Sequence, residues 1–192
     1  YPHKLGGEQI PLGARVLNFG ANIAEAKHRA DELVASEGLT YINGFNDAAI
    51  VAGQGTIGLE ILEQVPDVEA VVVPIGGAGL IAGMALAIKH THPRVRIVGV
   101  EPVRCPSFSA ALAAGQPVRV PAQPTLADGL AVPEVGARAF SIARHYVDEV
   151  VQVDDRESFL MTRRLVREEG IFSGGSSGSA VAGVLKSQIV RA

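Results

Sequence analysis

An α/β fold, a three-layer, doubly wound and mostly parallel sheet, is what this sequence predicts. Short continuous apolar runs alternate with segments of helical periodicity, the pattern left by strands buried on both faces. Two glycine-rich stretches, Gly76–Gly79 and Gly174–Gly178, each stand just before a helical segment. Hydrophobic residues make up 47% of the 192 residues and charged ones 19%, a composition that supports a packed core.

In chain order, Ala14 to Phe19 alternates as a strand does. Ala24 to Ser36 places Ala26, Ala30, Leu33 and Val34 on one helical face, and Gly38 stops it. Thr40 to Phe45 is a short strand or loop. Gly55 to Val65 is a helix with Ile57, Ile61, Leu62 and Val65 along one side. Ala70 to Pro74 is a buried strand, followed by a glycine turn and a mostly apolar helix from Leu80 to about His90. Val95 to Val100 is the next buried strand, which completes a βαβ unit. Pro102 to Pro124, rich in Ala and Pro, gives a short helix and a connecting loop. Val147 to Val153 is a further strand. Asp154 caps the following helix with Glu157 three residues on, and Gly170 ends it. Ser173 to Ser179 then leads into an Ala/Val helix from Ala180 to about Leu185.

Several function classes are disfavoured at once. Net charge is −3 with no Lys/Arg run, which argues against nucleic acid and anionic membrane as partners. No apolar stretch approaches the roughly 20 residues of a membrane span. The single cysteine, Cys105, excludes an internal disulfide and a cysteine-based zinc site, and a free thiol fits a reducing cytoplasm. The chain begins at Tyr1 rather than Met, which suggests a fragment.

Strand, Gly76-Gly77-Ala78-Gly79, helix is an arrangement that holds an anionic phosphate. The backbone approaches closely, its amides point inward, and the helix N-terminus adds a favourable dipole. Gly77-x-Gly79-x-x-x-Gly83 also resembles a dinucleotide fingerprint, and Glu101 ends the next strand where a ribose-binding acid is expected. Tight strand-to-helix packing would need the same glycines, so this turn alone does not choose. The second turn favours a phosphorylated aromatic cofactor, which must be held at both its phosphate and its ring nitrogen. A serine on a glycine turn can supply the ring partner. No Tyr-x-x-x-Lys pair is present to serve a dehydrogenase.

Longer blocks carry a resemblance. Ile50-Val-Ala-Gly-Gln-Gly-Thr-Ile-Gly-Leu-Glu-Ile61, Val72-Val-Pro-Ile-Gly-Gly-Ala-Gly-Leu80, Ile97-Val-Gly-Val-Glu-Pro102, Ala127-Asp-Gly-Leu-Ala-Val132 and Tyr146-Val-Asp-Glu-Val-Val151 follow one another in order. Together they resemble the large-domain core of fold-type II pyridoxal-phosphate enzymes (the tryptophan synthase beta-like fold) of the threonine ammonia-lyase and serine racemase kind. The resemblance implies the end of a small domain over 1–40 and a large cofactor-binding domain over 41–192. It implies that Gly76, Gly77, Ala78 and Gly79 hold the phosphate of pyridoxal 5'-phosphate and that Ser176 faces the pyridine nitrogen. Gly129 would lie beside the ring. Phe45 would lie near the cofactor, although core packing explains it equally well. If Ala78 needs positive φ, its methyl costs on the order of 1 kcal/mol. Glu101 matches a carboxylate that binds Mg²⁺ or Ca²⁺ in serine racemases, with the Cys105 carbonyl as a second ligand, but the expected acidic partner is Ser107.

The implied activity is β-elimination from a small hydroxy-amino acid such as threonine or serine, with racemisation as a related outcome. Arg167 to Ser179 is closer to cysteine synthase and cystathionine beta-synthase, so β-replacement is the alternative. A non-catalytic phosphate-binding remnant is a third reading. A homodimer is implied for the intact parent. The family's Schiff-base lysine has a Ser-x-Lys-x-Arg-like setting upstream, and none of Lys4, Lys27, Lys89 and Lys186 has it. The last three read as solvated surface. The isolated chain is therefore expected to be inactive and marginally stable.

Overall fold

The computed structural model describes residues 13, 15–20 and 23–190, in two compact units that divide after Ile42. In the first unit, α1 spans Ile23–Glu37. Gly38 closes it with φ of +67° and donates its amide to the Val34 carbonyl at 3.1 Å. Ion pairs along its surface join Lys27 to Asp31 at 2.6 Å and Arg29 to Glu32 at 2.7 Å. Residues 15–19 form no strand despite their alternation, and none of the described residues up to Ile42 is fully buried. Alternation alone does not make a strand; a neighbouring ladder must take up its backbone groups.

The second unit contains α2 (Ala48–Gln64), β1 (Ala70–Pro74), α3 (Gly79–Thr91), β2 (Arg96–Pro102), α4 (Ser107–Ala114), α5 (Ala137–Tyr146), β3 (Glu149–Val153), α6 (Asp155–Glu168) and α7 (Gly175–Lys186), with short 3₁₀ turns at Asp128–Leu130 and Gln188–Val190. The strands form a parallel sheet in the order β1-β2-β3, with Val72 opposite Val98 and Val100 opposite Val151. Side chains alternate across it. Val71, Val73 and Ile75 join Ile81, Ala85, Ile88 and Phe140 in a core under α3 and α5. Val72, Val100 and Val151 point the other way, against Ala182 of α7 and Met161 of α6. Both faces of the sheet are covered, which is why its strands read as unbroken apolar runs.

Three elements differ from expectation. Helix α2 starts seven residues earlier, at Ala48, because Asp47 caps it by accepting the Ala49 amide at 2.9 Å. Helix α5 was not expected at all. Helix α7 begins inside the glycine–serine cluster rather than after it. There Ser179 is buried, with its Oγ 2.8 Å from Ser158 Oγ of α6 and 3.0 Å from the Gly175 carbonyl. The small residues are helix-packing positions as well as turn residues.

Helix α6 begins as the sequence predicts. Asp154 Oδ1 accepts the Glu157 amide and Glu157 Oε2 accepts the Asp154 amide, both at 2.8 Å. Replacing Asp154→Ala removes this cap and is expected to lower unfolding free energy by about 1 kcal/mol. Urea denaturation measures the loss, and an unchanged midpoint would show that the cap contributes nothing.

Candidate functional site

The candidate site lies where strands of a parallel sheet release the chain at their carboxyl ends, the usual position for ligands in open α/β sheets. Past Pro74 the chain turns through Gly76 and Gly77 into α3. Ala78 adopts φ 71°, ψ 1°, and is the one non-glycine residue with positive φ among those described. The condition set on its methyl is therefore met, and the left-handed backbone costs on the order of 1 kcal/mol. The methyl is itself buried in the core, which offsets roughly 0.8 kcal/mol of that cost. Among the described residues, the amides of Gly76, Gly77 and Ala78 have no acceptor, whereas the Gly77 and Ala78 carbonyls accept from Gly136 and Ala82 at 3.1 Å and 3.0 Å. The turn therefore leaves donors free at the N-terminus of a buried helix.

The second glycine turn reaches the same place. A Cβ on Gly76 would lie 3.1 Å from the Gly129 carbonyl, and one on Gly129 would lie 3.4 Å from Ser176 Oγ. On the far side, a Cβ on Gly175 would come within 3.1 Å of the Ala127 amide. The Asp128–Leu130 turn is thus held between the starts of α3 and α7. Gly76, Gly129 and Ser176 are brought together, with Gly77, Ala78 and Gly79 continuing the same turn. Ser173, just before the Gly174 cap of α7, has a buried hydroxyl with no hydrogen-bond partner. A buried hydroxyl without a partner is costly, and a bound polar ligand would satisfy it. Nothing in the sequence distinguished Ser173 from the other serines of its cluster.

Phe45 stands behind the Gly76–Gly79 turn. Its ring occupies the space a side chain on Gly77 would need, and its α-carbon lies 2.7 Å from the Cβ position of Gly79. Gly83 is accounted for differently: a Cβ there would strike the Val51 carbonyl, so this glycine lets α3 cross α2 closely. That removes one support for the dinucleotide fingerprint.

Glu101 removes the other. Its carboxyl is 1% exposed. It accepts the Phe108 amide at 2.9 Å and the Ser109 amide at 3.2 Å, both at the start of α4, with the Gln152 side chain 3.4 Å away. The carboxyl anchors α4 and does not face a ribose. It also fits a metal poorly, because its oxygens are already taken by amides. No cluster of three or more His, Cys, Asp or Glu among the described residues could hold a cation.

The lysines are better anchored than the sequence suggested. The Lys89 side chain is only 14% exposed and pairs with Asp148 at 2.7 Å, while Asp148 also accepts the Ile97 amide at 2.7 Å. Lys89 lies ten residues beyond Gly79, about 15 Å along the helix. Lys186 pairs with Glu157 at 2.9 Å and Lys27 with Asp31. Lys4 falls outside the described residues.

Burial pushes the Glu101 carboxyl above its ordinary pKa, against the lowering effect of its hydrogen bonds. The folded state therefore holds this proton more tightly than the unfolded chain. The resulting stability is complete below the ordinary glutamate pKa and is lost as pH rises through the raised folded value. Glu101→Gln lacks this titration. Its stability relative to the parent should shift in its favour as pH rises above the ordinary glutamate pKa. Urea unfolding as pH is raised tests the sign, and a constant gap would count against it.

Residues 11–191 match the family model described as pyridoxal-phosphate dependent enzyme. The L-threonine ammonia-lyase of Thermotoga maritima is 42% identical over 174 residues, covering 91% of this chain and 43% of that protein. The structure of maize serine racemase superposes with a TM-score of 0.88 at 30% identity, over 96% of this chain and 56% of that one. The processed form of threonine deaminase isoform 2 from Solanum lycopersicum gives 0.86 at 37% identity, over 91% and 51%. The chain thus spans less than half the length of the curated lyase it matches. It is an α/β chain of the fold-type II kind, and it belongs to the pyridoxal-phosphate dependent enzyme family.

Proposed function

We propose that this chain forms the cofactor-binding part of a pyridoxal-phosphate-dependent ammonia-lyase that acts on a small hydroxy-amino acid such as threonine or serine. The observation that carries the reading is the approach of two helix starts, at Gly76–Gly79 and Gly174–Ser176, to the single Asp128–Leu130 turn. A ligand with an anionic end and a polar ring fits such a place. The names of the relatives, threonine ammonia-lyase and threonine deaminase, favour elimination.

In this reading the amides of Gly76, Gly77, Ala78 and Gly79 hold the phosphate, and the N-terminus of α3 stabilises its charge. Phe45 supports the turn from behind. Gly129 leaves room beside the ring because it has no side chain. Ser176, and Ser173 beside it, offer neutral hydroxyls on the ring side. Bound here, pyridoxal phosphate supplies an electron sink for bonds broken at the amino-acid Cα. A neutral hydroxyl does not hold a ring nitrogen protonated as a carboxylate would. That favours a reaction in which the leaving group takes the electrons. The substrate loses its Cα proton and its β-hydroxyl as water, and hydrolysis then releases ammonia and a 2-oxo acid.

The Schiff-base lysine of this enzyme is assigned to none of Lys27, Lys89 and Lys186, since each is held in an ion pair. Assignment of 1–40 to the end of a small domain, and of the intact protein to a homodimer, belongs to the same proposal and rests on family resemblance. A cation at Glu101 has no support from the surrounding residues.

Incubating the chain with pyridoxal phosphate, reducing with borohydride and mapping peptides tests the assignment. Reversible binding that inorganic phosphate competes away, without a single stoichiometric lysine adduct, is expected. Ser176→Ala should weaken that binding about fivefold, the worth of one neutral hydrogen bond. A stoichiometric adduct on one lysine would place the catalytic centre within this chain. In the intact enzyme, threonine should yield a 2-oxo acid. Cysteine formed from O-acetylserine and sulfide would instead identify a β-replacement enzyme, the reading that the Arg167–Ser179 stretch favours.

A further inference from the structure

We propose that Asn46 is the positioning residue of the Gly76–Gly79 turn, fixing its shape from the side opposite the ligand; the inference rests on the reading of that turn as the phosphate site. Helix α5 has a glycine, Gly136, at its N-cap and no side-chain cap of its own. The cap comes from a distant part of the chain. Asn46 Oδ1 accepts the Arg138 amide at 2.8 Å and the Ala139 amide at 3.3 Å. The Arg138 guanidinium returns to the Asn46 carbonyl at 3.4 Å.

Asn46 is itself held in place. Asn43 Oδ1 accepts the amides of Phe45 at 3.0 Å and Asn46 at 2.8 Å, which folds residues 43–46 into a tight loop. That loop presents the Phe45 ring to Gly77 and its main chain to Gly79. From the other direction, Gly136 donates its amide to the Gly77 carbonyl at 3.1 Å. A closed circuit results: Asn46 to the first turn of α5, α5 through Gly136 to Gly77, Gly77 against Phe45, and Phe45 back to Asn46. It constrains the turn on its carbonyl side and leaves the amides of Gly76, Gly77 and Ala78 free. Ala78, held left-handed, is the residue most inclined to relax if the circuit opens.

The position also explains two neighbouring glycines. A Cβ on Gly136 would lie 2.5 Å from Asn46 Oδ1, and one on Gly77 would overlap the Phe45 ring. Both contacts that close the circuit need a residue without a side chain.

The test compares Asn46→Ala, Asn46→Asp and Asp154→Ala by amide hydrogen exchange, together with titration of inorganic phosphate followed by phosphorus NMR. Asp154→Ala removes a helix cap that is no part of this circuit and controls for general loss of stability. Asn46→Ala should speed exchange at Gly76, Gly77 and Ala78 about tenfold more than Asp154→Ala does, and should weaken phosphate about tenfold. Asn46→Asp keeps an acceptor for Arg138 and Ala139 and should restore both. Equal acceleration of the turn amides in Asn46→Ala and Asp154→Ala, or acceleration confined to α5, would overturn the proposal. If the parent binds no phosphate while its turn amides still respond to Asn46→Ala, the cofactor reading fails and the positioning role stands.

Discussion

The backbone at Gly77 and Gly79 passes so close to Phe45 that no side chain can stand between them, and the candidate site depends on this approach. Because the ring fills that space, the turn cannot collapse toward the 43–46 loop. Because Gly136 bonds to the Gly77 carbonyl, the peptide cannot rotate freely. The free donors at the start of α3 are a consequence of these two constraints. Helix α3 is in turn buried between α2, α5 and the sheet, so the turn is set on the most thoroughly buried helix of the unit. A site needing close tolerances gains from that placement.

Much of this was legible in the sequence because the physics involved is local. The run Ala70–Pro74 is fully buried on one face and half-buried on the other, and so reads as a strand by composition alone. The Asp154–Glu157 box announces its helix because both partners lie within one turn. Ala78 stood out because its neighbours are glycines, and the left-handed conformation it adopts is the one that glycines normally supply.

Much of what was not legible involves partners distant in the chain. Helix α5 is short, and its cap is Asn46, 92 positions away from Arg138. No local pattern could reveal it. Glu101 looked like a ligand for a cation or a sugar because a carboxylate at a strand end is a familiar feature. The amides that occupy it belong to Phe108 and Ser109, only seven and eight residues on, where the chain folds back into the start of α4. Lys89 looked solvated because its partner, Asp148, lies 59 positions further along the chain. Ser173 is indistinguishable in sequence from the other serines of its cluster because a partnerless hydroxyl is a property of packing, not of composition.

Helix α7 lies against all three strands, yet it is the last long element of the unit. During synthesis β1, β2 and β3 can pair in the order in which they emerge, with α3 and α5 covering one face as they form. The opposite face, with Val72, Val100 and Val151, stays open until Ala182 and its neighbours arrive. Folding of this unit is thus front-loaded on one side and completed on the other by contacts that span about a hundred residues. Between the synthesis of β1 and that of α7 the nascent chain carries an uncovered apolar strand face, and chaperones that shield such surfaces have their natural window there.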